Sequence, residues 1–396
     1  VECSDGTVGF GVSIGGEPAC YLVERHLNRF VEGHDPRDVE LIYDTMWRST
    51  INYGRKGLPL QAISAVDLAL WDCLGKLRGE PVYQLLGGRT KRRLPVYATT
   101  VRPDLAKQMG FKGAKIPLPY GPGDGEAGMA ANIRRIRAAR ASVGEGFPLM
   151  IDCYMSLTVP YAVELARRCE NEVPGGVKWI EECLPPDDYE GCAKRALARA
   201  CLARASLARS LVASGRGKSH GRRYAELKRR VSSCLVTTGE HEYSRYGFRE
   251  LLERRCADVL QPDITWLGGI TEARRVTAMA AGFDVPIVPH GSSVYSYHLQ
   301  IAFPNCPIAE LIMLAPEADR VQPYFGDLLL DEPLPVDGWV ELDPTKPGFG
   351  VTLNRDLLRR PYEHAPQASP PTAPAKSHAD WLADPVTAIL EAAPRA

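Results

Sequence analysis

Three acidic residues of this 396-residue chain each stand where a short apolar run ends: Asp152 after PLMI, Glu181 after VKWI and Glu240 after LVTTG. Such runs are typical of parallel strands, and the carboxyl ends of these strands form the active-site face of a (β/α)₈ barrel. Three further residues repeat the pattern: Asp263, His290 and Glu310. Carboxylate oxygens suit a hard cation such as Mg²⁺. The pattern therefore predicts metal-dependent chemistry at the mouth of a barrel.

The intervals between these residues fit one strand plus one crossover helix. Asp152 and Glu181 are 29 positions apart, and the intervals from Glu240 onwards are 20 to 27 positions, whereas Glu181 and Glu240 are 59 apart. The excess lies in 192–223, a segment with many Arg but no Asp or Glu. We predict that it interrupts the barrel as an insertion. It could be a surface excursion, a basic amphipathic helix on an anionic surface, or a folded extra element.

The residues that precede the barrel predict a smaller α+β capping unit at 1–90. VECSDGTVGFGVSI indicates two strands joined by a turn at Asp5-Gly6, and helices are expected near 20–30, 36–48 and 64–77. Ser64 is the expected N-cap of the last helix, and Gly79 lies beyond its end. Because only one strand precedes the first turn, we expect the cap to be incomplete at its start.

The remaining chain divides into three expected regions. The barrel is expected over 91–325, and a segment at 326–362 closes it and returns to the cap. The tail at 363–396 is rich in Pro and Ala and is predicted to be disordered.

Composition excludes several classes of protein. Lys plus Arg and Asp plus Glu both number 48, so no net charge favours nucleic acid. No apolar run approaches the roughly 20 residues that span a bilayer. The eleven Cys residues follow neither zinc nor disulfide spacing. We expect a cytoplasmic enzyme with reduced thiols and with neither a nucleic-acid nor a membrane partner.

The six residues at the strand ends could have different chemical roles. A cation held by the first three acids would polarise a substrate carboxylate. His290 could then remove the proton from the adjacent carbon, because its intrinsic pKa lies near neutrality. Asp263 is placed to hold the imidazole. Glu310 could hydrogen-bond the second carboxylate oxygen.

Several motifs resemble the enolase superfamily, and the resemblance covers about residues 1–362. They are SAVDLALWDCLGKLRGEPVYQLLGG, MIDCYMS, KWIEECLPPDDYEG, TTGEH, QPDITWLGG and VPHGSSVYSYH. The resemblance implies a TIM-like (β/α)₇₋₈ barrel with an α+β capping domain. It assigns Asp152, Glu181 and Glu240 as Mg²⁺ ligands and favours Glu181 over Glu182. It also implies a homo-oligomer.

The same resemblance implies the remaining roles. Asp263 and His290 match a catalytic dyad, Glu310 lies beside the substrate carboxylate, and His241 matches a substrate-contacting histidine. Lys115 and Ser292 are expected to bind substrate, although Lys115 could instead be a buried ion-pair partner. His298 is expected to have a packing or supporting role.

The implied reaction is the dehydration of an acid sugar, foremost L-rhamnonate. His290 removes the α-proton, the 3-hydroxyl leaves, and a 2-keto-3-deoxy acid forms. The hydroxyl could be protonated by His290 or by His241. Another acid sugar, or a barrel that has lost catalysis, remains as an alternative.

Overall fold

The computed structural model describes residues 1–186 and 222–358. Nearly all of the predicted insertion at 192–223 and the whole tail at 363–396 lie outside these ranges. The domain boundaries given above stay predictions.

The first 90 residues form a small helical unit that begins with a short hairpin. Glu2 and Val8 make an antiparallel bridge around the Asp5-Gly6 turn, as predicted. The helices are α1 (Gly16–Leu22), which continues as a π-helical turn (Val23–Leu27) and a 3₁₀ turn (Asn28–Phe30), then α2 (Val39–Thr50), α3 (Leu58–Arg78) and α4 (Val82–Leu85).

The prediction that Ser64 caps α3 was wrong. The helix begins six residues earlier, at Leu58, with Pro59 in its first turn, where the missing N–H of proline costs nothing. Ser64 is buried in the helix interior, where its hydroxyl donates to the Leu60 carbonyl at 2.8 Å and accepts from the Gly268 N–H at 2.9 Å. Gly79 ends the helix in a left-handed conformation, as expected.

Seven parallel strands of the described residues form one sheet, in the order β6-β5-β4-β3-β2-β1-β7. They are β1 (Leu94–Thr99), β2 (Ala114–Pro117), β3 (Leu149–Asp152), β4 (Trp179–Glu181), β5 (Leu235–Thr238), β6 (Val259–Leu260) and β7 (Ala309–Ile312). Two parallel bridges, Leu260–Ile287 and Asp263–His290, extend the sheet beyond β6. The strands are short and mostly buried, which is why they read as apolar runs.

Helices alternate with these strands and cover the sheet. They are α5 (Pro103–Gln108), α6 (Gly125–Val143), α7 (Val159–Glu172), α8 (Arg222–Arg230), α9 (Ser244–Glu253), α10 (Gly269–Ala281) and α11 (Ser293–Ala302). In α7 the buried residues recur at helical spacing: Val159, Ala162, Leu165, Ala166 and Cys169. This alternation confirms the predicted TIM-like barrel.

The segment after the barrel contacts both the barrel and the unit formed by the first 90 residues. It contains β8 (Leu329–Leu330), β9 (Trp339–Val340) and β10 (Thr352–Leu353). β9 pairs antiparallel with β1, while the Phe349 N–H donates to Asp72 of α3 at 3.0 Å. Among the described residues, no helix is long and apolar enough to cross a membrane.

Candidate active site

Strand register brings the predicted acids to one end of the sheet. Asp152 lies directly opposite Glu181, and Glu181 lies opposite Thr237 of β5, three positions before Glu240. The side chains of Glu181 and Glu240 are almost fully buried. Sequence spacing thus predicted correctly that these residues follow neighbouring strands.

The Lys115 ammonium lies at the centre of this group. It contacts Glu181 and lies 3.2 Å from Asp152 Oδ2 and 2.9 Å from Glu310 Oε1. Lys115 is 1% exposed. Lys115 is therefore a buried ion-pair partner, and its expected contact with substrate stays a prediction.

Negative charge exceeds positive charge in this cluster. Burial raises the pKa of Glu181 to about 8 in spite of Lys115, and the nearby Asp152 and Glu310 add to the effect. Burial likewise raises the pKa of Glu240 to about 7, although His290 and Lys115 oppose the shift. Burial disfavours the Lys115 cation, but the surrounding carboxylates outweigh it and hold its pKa well above the ordinary value. The excess negative charge of this site would therefore stabilise an additional cation.

This donor set fits Mg²⁺ by its chemistry. It offers hard carboxylate oxygens, and its excess negative charge would be offset by a divalent cation. Within residues 1–186 and 222–358, however, no three acidic, His or Cys side chains converge as a ready-made metal site. Lys115 engages Asp152 and Glu181, whereas Glu240 faces His290. The ligand assignment of these three acids stays a prediction.

Asp263 and His290 form a hydrogen-bonded pair because their backbones are paired in parallel. His290 Nδ1 lies 3.0 Å from Asp263 Oδ2, and His290 Nε2 lies 3.4 Å from Glu240 Oε1. Asp263 is fixed in turn by Thr265, whose N–H and hydroxyl both donate to Oδ1 at 2.7 Å. One imidazole nitrogen is therefore anchored while the other faces the acidic cluster.

The charge around His290 favours its protonated form. Burial lowers the pKa of the imidazole, but Glu240, the hydrogen bond that the imidazole donates to Asp263 and the charge of Glu310 outweigh it, so that the pKa rises to about 10. Glu310 behaves oppositely. Burial raises its pKa, yet Lys115 and His290 lower it to about 2, helped by hydrogen bonds from Thr99 and the Gly291 N–H.

A second carboxylate–imidazole pair involves Glu182, the neighbour of the predicted ligand Glu181. Its carboxylate accepts from the Thr238 hydroxyl and the Gly239 N–H, both at 2.9 Å, and lies 3.2 Å from His241 Nδ1. Burial opposes protonation of His241, but Glu182 and Glu240 together raise its pKa above the ordinary value. The Glu181-Glu182 doublet was the only signal of this pair.

Trp266 connects the two imidazoles, its ring centroid lying 5.3 Å from that of His241 and 5.6 Å from that of His290. The Trp266 side chain is only partly buried. Trp266 therefore forms one wall of the candidate site.

Ser292 is completely buried, and its hydroxyl contacts Asp263 Oδ1 at 2.8 Å and the His290 carbonyl at 2.9 Å. These contacts support the Asp263–His290 dyad. The expected role of Ser292 in substrate binding stays a prediction. His298 has the expected supporting role: Nδ1 accepts from the Tyr83 N–H, Nε2 donates to the Phe349 carbonyl, and burial lowers its pKa to about 3.

The sequence of this chain matches two known protein-domain families. Residues 1–87 match the mandelate racemase / muconate lactonizing enzyme N-terminal domain, and residues 101–207 and 218–357 match the enolase C-terminal domain-like family. The chain belongs to the enolase superfamily. The predicted superfamily and its barrel-with-cap fold are therefore confirmed.

Individual members of the superfamily are closely similar. An L-rhamnonate dehydratase of Saccharopolyspora erythraea is 50% identical over 366 residues, which are 92% of this chain and 85% of that protein. The crystal structure of an L-rhamnonate dehydratase from Gibberella zeae is 47% identical with a TM-score of 0.79, covering 90% of this chain and 82% of that chain. A 3,6-anhydro-D-galactonate cycloisomerase from Zobellia galactanivorans is 28% identical with a TM-score of 0.71, covering 90% of each chain.

These relatives bear on two predictions. Dehydratases are hydro-lyases, so the prediction of an enzyme related to the hydro-lyases is confirmed. The rhamnonate dehydratase from Gibberella zeae has also been crystallised in complex with Mg, which agrees with the expected cofactor.

Proposed function

We propose that this chain is a Mg²⁺-dependent dehydratase that converts L-rhamnonate to 2-keto-3-deoxy-L-rhamnonate. The observation that carries the proposal is the geometry of His290, which is anchored by Asp263 at 3.0 Å and faces a buried carboxylate cluster with its other nitrogen. The 50% identity to an L-rhamnonate dehydratase supports the substrate.

Asp263 determines which nitrogen of His290 exchanges protons. Because its carboxylate accepts the hydrogen on Nδ1, Nε2 is free to take a proton from the substrate. Glu240 lies 3.4 Å from the imidazole and stabilises its protonated form, so His290 becomes a base once a cation offsets the negative charge of Glu240. When bound, Mg²⁺ would supply this positive charge and polarise the substrate carboxylate, with Asp152, Glu181 and Glu240 as its protein ligands.

His290 would remove the proton from the carbon next to the carboxylate. The hydroxyl on the following carbon then leaves with a proton, and tautomerisation gives the 2-keto acid. His290 carries the abstracted proton and can return it to the departing hydroxyl. His241 is the second candidate for this donation, because Glu182 orients its ring at 3.2 Å and favours its cation.

The test is formation of a 2-keto acid from L-rhamnonate by the purified chain, first with Mg²⁺ and then with excess chelator. Product that depends on the metal supports the proposal. A panel of other acid sugars is the matched comparison, because turnover of a different sugar would keep the reaction and replace the substrate. A folded chain that binds Mg²⁺ and turns over none of them would contradict the proposal.

We further propose a cytoplasmic homo-oligomer that binds an acid sugar and neither nucleic acid nor membrane. The balanced charge and the superfamily relationship support this. Size-exclusion chromatography with light scattering tests the assembly, and a strictly monomeric protein would contradict it.

A further inference from the structure

The turn after His290 contains three consecutive residues in the left-handed region. Gly291, Ser292 and Ser293 have φ of 38°, 62° and 43°. Side chains disfavour this region, so two serines in succession represent stored strain, which proteins retain mainly at functional sites. Each residue donates a hydrogen bond to a different buried acid: Gly291 to Glu310, Ser292 to Asp263 and Ser293 to Glu332.

Of these three acids, Glu332 alone does not belong to the barrel. It belongs to the segment after the barrel and is 7% exposed. Besides the Ser293 hydroxyl, its carboxylate accepts the N–H groups of Tyr324 at 2.8 Å and Phe325 at 3.2 Å. Glu332 therefore fixes the backbone at Tyr324 against the turn that carries His290.

The Tyr324 hydroxyl reaches this turn directly. A methyl group at Gly291 would lie 3.1 Å from the hydroxyl oxygen, so the absence of a side chain at Gly291 permits the approach. Among residues 1–186 and 222–358 the hydroxyl has no hydrogen-bond partner, although Tyr324 is only partly exposed. Burial and the charges of Asp263, Glu310 and Glu240 raise the pKa of the phenol, so it stays a hydrogen-bond donor.

Packing alone does not account for this tyrosine. The neighbouring Phe325 makes the apolar contacts, with its ring centroid 5.7 Å from that of Tyr295 and 4.9 Å from that of Tyr324. A phenylalanine at 324 would pack equally well. The hydroxyl adds a hydrogen-bond donor beside Gly291, where the charges of Asp263, Glu310 and Glu240 act on it.

We propose that Tyr324 is a substrate-binding residue whose hydroxyl donates a hydrogen bond to an oxygen of the bound acid sugar, and that Glu332 is the residue that positions it. The inference rests on the proposed function, since it needs an acid sugar in this site. It assigns part of the substrate specificity to the segment after the barrel.

The first experiment compares Tyr324→Phe with the wild type in steady-state kinetics on L-rhamnonate, or on whichever acid sugar the wild type turns over. Losing one hydrogen bond should raise KM by about threefold to tenfold. kcat should change by less than about twofold, because the bond serves ground state and transition state alike. The matched control is Tyr295→Phe, which removes a fully buried hydroxyl from the same aromatic cluster and should leave KM unchanged.

The second experiment tests Glu332 through a double variant. Glu332→Gln should raise KM, and combining it with Tyr324→Phe should add less than about twofold, because the two residues act through one bond. An additive effect would overturn the positioning role. Equal unfolding midpoints in urea would exclude a general loss of structure.

The outcomes separate the two claims. A wild type that turns over no acid sugar refutes the proposed function and this inference with it. An active wild type whose KM is unchanged in Tyr324→Phe overturns the inference alone.

Discussion

Lys115 offers a quantitative prediction, because its buried ammonium bridges three carboxylates. Replacing it with Met keeps the bulk of the side chain and removes the charge. Asp152, Glu181 and Glu310 would then lose the cation that contacts all of them. Breaking a buried ion pair on one side typically costs about 3–5 kcal/mol, because a charge stays buried without compensation.

The metal-free variant should therefore lose about 3–5 kcal/mol of unfolding free energy, a large part of the 5–15 kcal/mol typical of a domain. Mg²⁺ should reduce this difference between variant and wild type. Lys115 competes with the metal for Asp152 and Glu181, so the variant should bind Mg²⁺ more tightly. At 100 times Kd, binding stabilises a protein by about 2.7 kcal/mol.

Urea unfolding of both proteins, in chelator and in Mg²⁺, measures this effect. The control is Lys346→Met, which removes a partly exposed ammonium 3.5 Å from the exposed Asp331 and should cost less than about 0.5 kcal/mol. A loss below about 1 kcal/mol for Lys115→Met in chelator would refute the reasoning. So would a difference that Mg²⁺ leaves unchanged.

Three further predictions concern the same site. Glu240→Gln should weaken Mg²⁺ binding in calorimetry, and an unchanged affinity would remove Glu240 from the ligands. In chelator, the free energy of unfolding should fall as the pH rises from about 5 to 9. In the folded state the pKa values of Glu181 and Glu240 are raised to about 8 and about 7, so the stabilisation that these groups contribute is complete below about pH 4.5 and is lost as the pH rises through those values. Urea midpoints that rise over this pH range would contradict the prediction. Gly291→Ala should cost about 1–2 kcal/mol in urea unfolding, because φ is 38° there and the methyl group would crowd the Tyr324 hydroxyl; a variant as stable as the wild type would show that the turn is not strained.

Residue spacing predicted the positions of the acids because a parallel βα unit has a nearly fixed length. It also indicated the Asp263–His290 pair, whose strands turned out to be bridged at these residues. The helix pattern of α3 was found, but its start was missed. Ser64 resembled an N-cap, whereas the helix continues backwards because burial of Leu60 and Ile63 stabilises it.

Features that depend on tertiary contact could not be predicted from one sequence. Lys115 has no sequence signal for its three acidic partners, which come from three other strands. Glu182 received no role because the family resemblance favoured Glu181, yet its carboxylate meets Thr238 and His241. Tyr324 and Glu332 lie in a stretch without regular periodicity, and only the fold brings them to the turn after His290.

The most direct test of the account compares His290→Asn with the wild type. In this variant, 2-keto acid formation from L-rhamnonate should fall by at least about 10²-fold, since general base catalysis typically contributes 10²–10⁴-fold. Mg²⁺ affinity, measured on the same preparation, should be retained. A variant that forms product at the wild-type rate would contradict the central claim that His290 removes the substrate proton.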